Sequence, residues 1–174
     1  MTLDHLWAGW RMAYVSSAAT GGPQRSIVGE LADDACIFCA ILEADATNEE
    51  KLVVFEGEHV VAMLNAFPYA SGHVMVMPRR HVRELEELSE PEATELWRSV
   101  HRSVASLKEA YRPEGINLGV NLGRAAGAGI PGHLHVHAVP RWAGDTNFMT
   151  ATASVRVMPE ALADSFKRLR DAWQ

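Results

Sequence analysis

One short segment restricts the architecture more than any other: Gly132-His133-Leu134-His135-Val136-His137-Ala138-Val139-Pro140, in which three histidines alternate with apolar residues. Side chains two apart on an extended chain point the same way. His133, His135 and His137 should therefore form a row spaced about 6.5 to 7 Å apart, with Leu134, Val136 and Ala138 facing the opposite side. A period of two predicts a strand with one face for packing and one for chemistry. With eight histidines in 174 residues, random placement gives such a triplet about 2% of the time. Three merely structural core histidines fit poorly too, because every buried imidazole must find polar partners.

The rest of the chain gives this segment a setting. At 174 residues and 48% hydrophobic content, it can bury one core, and a single domain over residues 1–174 is expected. A formal net charge of −6 argues against a general nucleic-acid or anionic-membrane binder, so a phosphate ligand must be held locally. No apolar run approaches the ~18 residues of a membrane span, and residues 1–5 lack the basic start and apolar core of a signal peptide. The expected location is the cytoplasm. The two cysteines, Cys36 and Cys39, are spaced too closely for an ordinary disulfide staple. Half of a tetrahedral zinc site, a thioredoxin-like redox pair and two plain core cysteines all remain open; for zinc, His81 and His133 are the candidate further ligands.

Taken in order, residues 6–15 are rich in large apolar side chains and 16–23 have loop composition. Residues 1–33 read either as an arm docked on the body or a partner, or as a strand packed on its own core. The spacing of Ile37, Phe38, Ile41 and Leu42 predicts a short helix over 35–44, with both cysteines at its entry. Strands are expected over 51–55 and 59–64, divided by Glu56-Gly57-Glu58 as in a hairpin, and over 73–77. Ser89 as cap and Pro91 in the first turn predict a long helix with the apolar stripe Leu96, Val100, Val104, Leu107 and Tyr111, closed by Pro113 and Gly115. Another strand is expected over 116–122, then a glycine-rich loop into the histidine segment. The body is expected to cover 35–150, and a strand over 153–157 and a terminal helix over 159–173 complete the chain.

The glycine-rich loop from Asn121 to Gly132 can turn backbone N–H groups toward an anion with no side chain intervening. Such loops are often simple connections, but this one carries Arg124 and leads directly into the histidine row. Imidazole is largely neutral at pH 7 and can act as nucleophile or base, with His135 central and His137 able to donate to phosphate. A polyphosphate leaving group departs as a weakly basic anion, so little acid assistance and no catalytic metal are expected. His5, His59 and His101 have no comparable company and read as surface or packing residues.

These residues resemble the histidine triad (HIT) family, whose signature of three histidines alternating with apolar residues is matched from His133 to Val139. Leu64-Asn65-Ala66-Phe67-Pro68 and Ser71-Gly72-His73-Val74 resemble the family's upstream motif. Leu6-Trp7, Arg11-Met12-Ala13-Tyr14, Asn121-Leu122-Gly123, Ala126-Gly127-Ala128-Gly129, Pro140-Arg141-Trp142 and Gly144-Asp145-Thr146-Asn147-Phe148 resemble its bacterial diadenosine tetraphosphate phosphorylase branch. The resemblance implies an α+β fold: a curved antiparallel sheet with a long helix and a C-terminal helix, usually as a homodimer. It also implies a nucleotide substrate. His135 would be the nucleophile forming a nucleotidyl-histidine, with His137 on the phosphate, His73 in support and Asn65 on the ribose. Asn121, Gly127, Ala128 and Gly129 would line the nucleotide site, and Cys36, Cys39, His81 and His133 would hold a structural zinc. Two departures stand out. Ala128-Gly129 replaces the polar Gln or Ser of many hydrolase relatives, and His137 keeps a triad that some transferase relatives end in glutamine.

Overall fold

The computed structural model describes residues 25–28, 31–32, 35–145 and 160–173. The apolar arm over 6–15 with its loop, residues 146–150, and the strand expected over 153–157 lie outside the described residues. Short helices α1 (Arg25–Val28), α2 (Ile37–Glu43) and α3 (Asn48–Lys51) precede strands β1 (Val53–Glu56), β2 (Val60–Leu64) and β3 (Val74–Pro78). The long helix α4 (Glu90–Tyr111), β4 (Gly115–Val120), β5 (Val136–Arg141) and α5 (Leu162–Ala172) follow.

Local chemistry sets several of these boundaries. Residues 51–52 were expected in a strand, but Thr47 and Glu50 form a reciprocal capping box that draws Lys51 into α3. Leu52 then closes α3 at φ +61°, and β1 begins one residue later. Two local side-chain to backbone bonds outweigh a weak strand preference. The same device opens α4, where Ser89 and Glu92 cap each other and Pro91 occupies the first turn. The buried side of α4 carries Leu96, Val100 and Leu107 as the stripe predicted. Ser99, Ser103 and Ser106 are buried beside them, while Val104 and Tyr111 are only half-buried. Three small residues let the helix lie close to the sheet, and the Ser103 hydroxyl satisfies itself on the Val100 carbonyl at 2.7 Å.

The five strands run in the order β1-β2-β3-β5-β4, every neighbouring pair antiparallel. The fold is the expected α+β arrangement. One sheet face, with Val54, Ala62, Leu64, Val74, Val76, Leu134, Val136 and Ala138, packs on α4 and on Phe166 and Leu169 of α5. The other, with Val53, Val61, Met63, Met75 and Met77, packs on Phe38 and Ile41 of α2. His137 pairs with Met75 across the β3–β5 ladder, so the histidine row shares the α2 face. The ladder itself begins at Val136. Residues 133–135 lead into it from a bend at His133, pinned by the Leu134 N–H on the Val82 carbonyl at 2.7 Å, and Leu134 shares the face of Val136 and Ala138.

Candidate active site and metal centre

The cysteines lie at the entry of α2: Cys36 is its cap residue and Cys39 sits in the first turn, which sets both thiols on one side. His81 follows the end of β3 and His133 starts the lead-in to β5. The Cys36 Sγ lies 3.3 Å from His133 Nδ1, and the Cys39 Sγ lies 3.4 Å from His81 Nδ1 and 3.6 Å from His133 Nδ1. All four donor atoms fall within 4.8 Å of one another. Tetrahedral zinc, with bonds of about 2.3 Å to sulfur and 2.0–2.1 Å to nitrogen, places S and N ligand atoms roughly 3.5 Å apart. The four residues fit that ion. The His133 Nε2–H donates to the Pro78 carbonyl at 2.9 Å, which leaves Nδ1 bare toward the sulfurs. Burial and the neighbouring Cys36 push the Cys39 thiol up to about 11, so at pH 7 that thiol gives up its proton on binding a cation rather than to water.

Two residues along, a backbone carbonyl again fixes the tautomer, here of His135. Its Nδ1 donates to the His133 carbonyl at 2.8 Å, so the lone pair sits on Nε2. Burial holds its pKa below the usual imidazole value, partly offset by that hydrogen bond. The Nε2 is therefore a neutral, proton-free nitrogen at pH 7. His137 is oriented from behind. The Tyr69 backbone N–H donates to His73 Nδ1 at 3.1 Å, so the His73 proton is on Nε2, which lies 2.9 Å from His137 Nδ1. His137 must then carry its own proton on Nε2, as a donor. Burial, then the neighbouring His135, lowers its pKa to about 4. The His135 and His137 rings stand 4.8 Å apart between centroids at 82°.

The other candidates are placed less uniformly. His73 is fully buried and reaches the row through its Nε2 contact with His137. Asn65 is also buried: its Oδ1 accepts the Phe67 N–H at 2.9 Å and its Nδ2 lies 3.4 Å from His73 Nδ1. Among the described residues, one amide N–H and one oxygen lone pair have no partner. In the glycine-rich loop, Arg124–Ala126 forms a single tight turn closed by Gly127 at φ +91°. The Gly127 N–H is used on the Arg124 carbonyl at 3.0 Å, so that amide serves the turn. Ala128 is buried, Gly129 and Arg124 are exposed, and Asn121 is half-buried at the end of β4. Ile130 packs on the cluster that contains Phe38 and Met75, which brings the loop to the histidine face.

Three further residues surround the row. Phe38 meets both His133 and His135, Tyr69 lies 4.6 Å from His73 and 6.0 Å from His137 between ring centroids, and Gly119 pairs with His137 across the β4–β5 ladder. A Cβ on Gly119 would meet nothing within 4 Å, which leaves open space beside His137. In the sequence Phe38 reads only as one position of a helical stripe and Tyr69 as part of a turn; the one available signal was the placement of Phe38 between the two cysteines.

The sequence profile of the HIT domain matches residues 46–144. Over 171 residues the chain is 40% identical to the AP-4-A phosphorylase of Mycobacterium tuberculosis, covering 98% of this chain and 85% of that one. The chain belongs to the HIT family. Two solved HIT structures share its fold. One is a Zn-bound histidine triad family protein from Mycobacterium smegmatis, 28% identical, with a TM-score of 0.64 over 80% of this chain and 93% of that one. The other is a hypothetical histidine triad nucleotide-binding protein from Sulfolobus tokodaii, 31% identical, with a TM-score of 0.62 over 79% of this chain and 91% of that one. The HIT resemblance and the α+β fold expected from the sequence both hold.

Proposed function

We propose that this HIT protein is a nucleotide-processing enzyme that cleaves diadenosine tetraphosphate at an α-phosphate, with inorganic phosphate as acceptor. One observation carries the reading: the bare Nε2 of His135 stands beside the outward N–H of His137, each tautomer set by a hydrogen bond from behind. That is a nucleophile next to a phosphate donor. The His135 lone pair attacks the α-phosphorus, a P–N bond forms, the bridging P–O bond breaks, and ATP leaves with the bond's electron pair. Phosphate then attacks the same phosphorus, the P–N bond returns its electrons to Nε2, and ADP is released. His137 holds the phosphate oxygens through both steps, and His73 positions His137 without touching substrate. Asn65, Asn121 and the amides of Ala128 and Gly129 bind the nucleotide. Kinship with the M. tuberculosis AP-4-A phosphorylase supports this substrate and acceptor. Incubation with diadenosine tetraphosphate should give ADP plus ATP only when phosphate is present; AMP plus ATP without phosphate would assign water as acceptor instead.

Cys36, Cys39, His81 and His133 would hold zinc, which supplies a structural tie between α2, the end of β3 and the first triad residue. We propose a cytoplasmic enzyme working as a homodimer through β4. Among the described residues no strand lies beyond β4, and no helix is long and apolar enough to cross a membrane. The helix α4 covers β2, β3 and β5, while Leu118 on β4 and Trp97 on α4 are both 51% exposed. An open strand edge that carries an uncovered large apolar side chain, Leu118, suits a second copy. Light scattering of Leu118→Glu should show a shift toward monomer relative to the unmodified protein.

A further inference from the structure

The hydrogen bond to the His133 carbonyl fixes only one edge of the His135 ring. A ring held by a single N–H···O contact can still swing about that axis, and such a swing moves the opposite nitrogen, Nε2, off any line of attack. A second contact must restrain it. Phe38 supplies one: its ring meets His135 at 5.3 Å between centroids and 68°, and meets His133 at 5.5 Å and 89°. Both are edge-to-face contacts of the kind aromatic pairs favour. Phe38 is itself 2% exposed and embedded with Ile41, Val61, Met63, Met75 and Met77, so it cannot yield. It also lies between Cys36 and Cys39 on the segment that enters α2. One residue thus joins the thiol pair to both the first and the second triad histidine.

We propose that Phe38 is a positioning residue for His135, a buried wedge that holds the imidazole plane so that Nε2 points along the attack direction. The proposal rests on the nucleotidyl transfer at His135 described above and adds the residue that aims it. Misalignment of a nucleophile by about 1 Å costs as much as roughly a hundredfold in rate. Loss of the wedge should therefore lower kcat and leave substrate binding little changed.

Phe38→Leu is the informative variant, because it keeps an apolar side chain in the core where Phe38→Ala would leave a large cavity. With diadenosine tetraphosphate, kcat should fall about tenfold or more while KM stays within about twofold. Zinc content and the circular dichroism spectrum should match the unmodified protein. A rise in KM at unchanged kcat would mean that Phe38 packs on the nucleoside, and would overturn the proposal. Nitrogen-15 NMR of labelled histidine gives a second readout that needs no turnover. The unmodified protein should show a slowly exchanging His135 Nδ1–H, and Phe38→Leu should broaden it or speed its exchange. An unchanged Nδ1–H signal in a folded Phe38→Leu protein would overturn the wedge even if activity fell. If the unmodified protein fails to cleave the dinucleotide, the proposed reaction fails, and the NMR comparison still decides the role of Phe38.

Discussion

The two ends of the histidine row are built from the same side chain and satisfied in opposite ways. At the His133 end, two thiols and two imidazole nitrogens converge within 4.8 Å, and His133 has already spent its proton on the Pro78 carbonyl. Four sulfur and nitrogen donors face one another there, an arrangement that a cation completes once the thiols release their protons. At the His137 end every lone pair on the relay faces a proton: Tyr69 N–H on His73 Nδ1, His73 N–H on His137 Nδ1. That end needs no ion and leaves an N–H turned outward. His135 lies between, tied to the first end by the His133 carbonyl and to the second by ring contact with His137. The lesson is that hydrogen-bond direction, not residue type, separates a ligand from a donor.

The sharpest break in this comparison is at its centre. His135→Ala should reduce turnover of diadenosine tetraphosphate by roughly three orders of magnitude or more while the fold persists, since no neighbouring imidazole presents a bare outward nitrogen. Turnover within tenfold of the unmodified protein would remove His135 as nucleophile. The metal end comes next. Stripping with a strong chelator, or Cys39→Ser, should lower zinc content well below one per chain and reduce the unfolding temperature by several degrees. Metal analysis that finds no zinc in the purified protein would make the two ends alike. The relay end should respond less: His73→Phe keeps an aromatic ring but offers His137 no N–H, so kcat should fall about tenfold to a hundredfold, with zinc content unchanged. Zinc loss in that variant would show that the ends are not independent.

Much of this was legible in the sequence, for a physical reason. A strand's period of two is written directly into residues 133–139, so the shared face of the three histidines, and the packing of Leu134, Val136 and Ala138 behind them, follow from alternation alone. The four sulfur and nitrogen donors named as a group also come together within 4.8 Å, although Cys39 and His133 are 94 positions apart. What sequence could not supply was proton placement. Which nitrogen of His133, His135 or His137 is bare depends on the carbonyl of Pro78, the carbonyl of His133 and the amide of Tyr69, and backbone atoms carry no residue signature. The start of β1 was misplaced because the Thr47–Glu50 capping box is decided by geometry within one turn. Phe38 was underread because an aromatic on an apolar stripe is ordinarily core, which it is; its second role appears only when the rings it touches are known.

The smallest expected effect is on pH dependence, where the change made by His137→Gln tests the relay end. Burial lowers the His137 pKa to about 4 in the folded protein, against about 6.5 in an unfolded chain. Above pH 6.5 both states leave His137 neutral and it contributes no slope. Between about 6.5 and 4 the unfolded chain takes up a proton that the folded protein refuses, so stability falls as pH falls, by up to roughly 1.4 kcal/mol per pH unit for one such group. Below about 4 both states are protonated and the slope vanishes. Urea unfolding at pH 7, 6 and 5 should therefore show a decline that His137→Gln makes shallower. The native site has the matching signature in activity. Down to about pH 4, His137 keeps its bare Nδ1 on His73; below that the added proton faces the His73 N–H, and two donors oppose each other across a bond of 2.9 Å. The acid limb of kcat/KM should accordingly lie below pH 6.5. A limb at 6.5 or above that moves with His137→Gln would mean that this imidazole is solvated like a free histidine, and would dissolve the contrast between the two ends of the row.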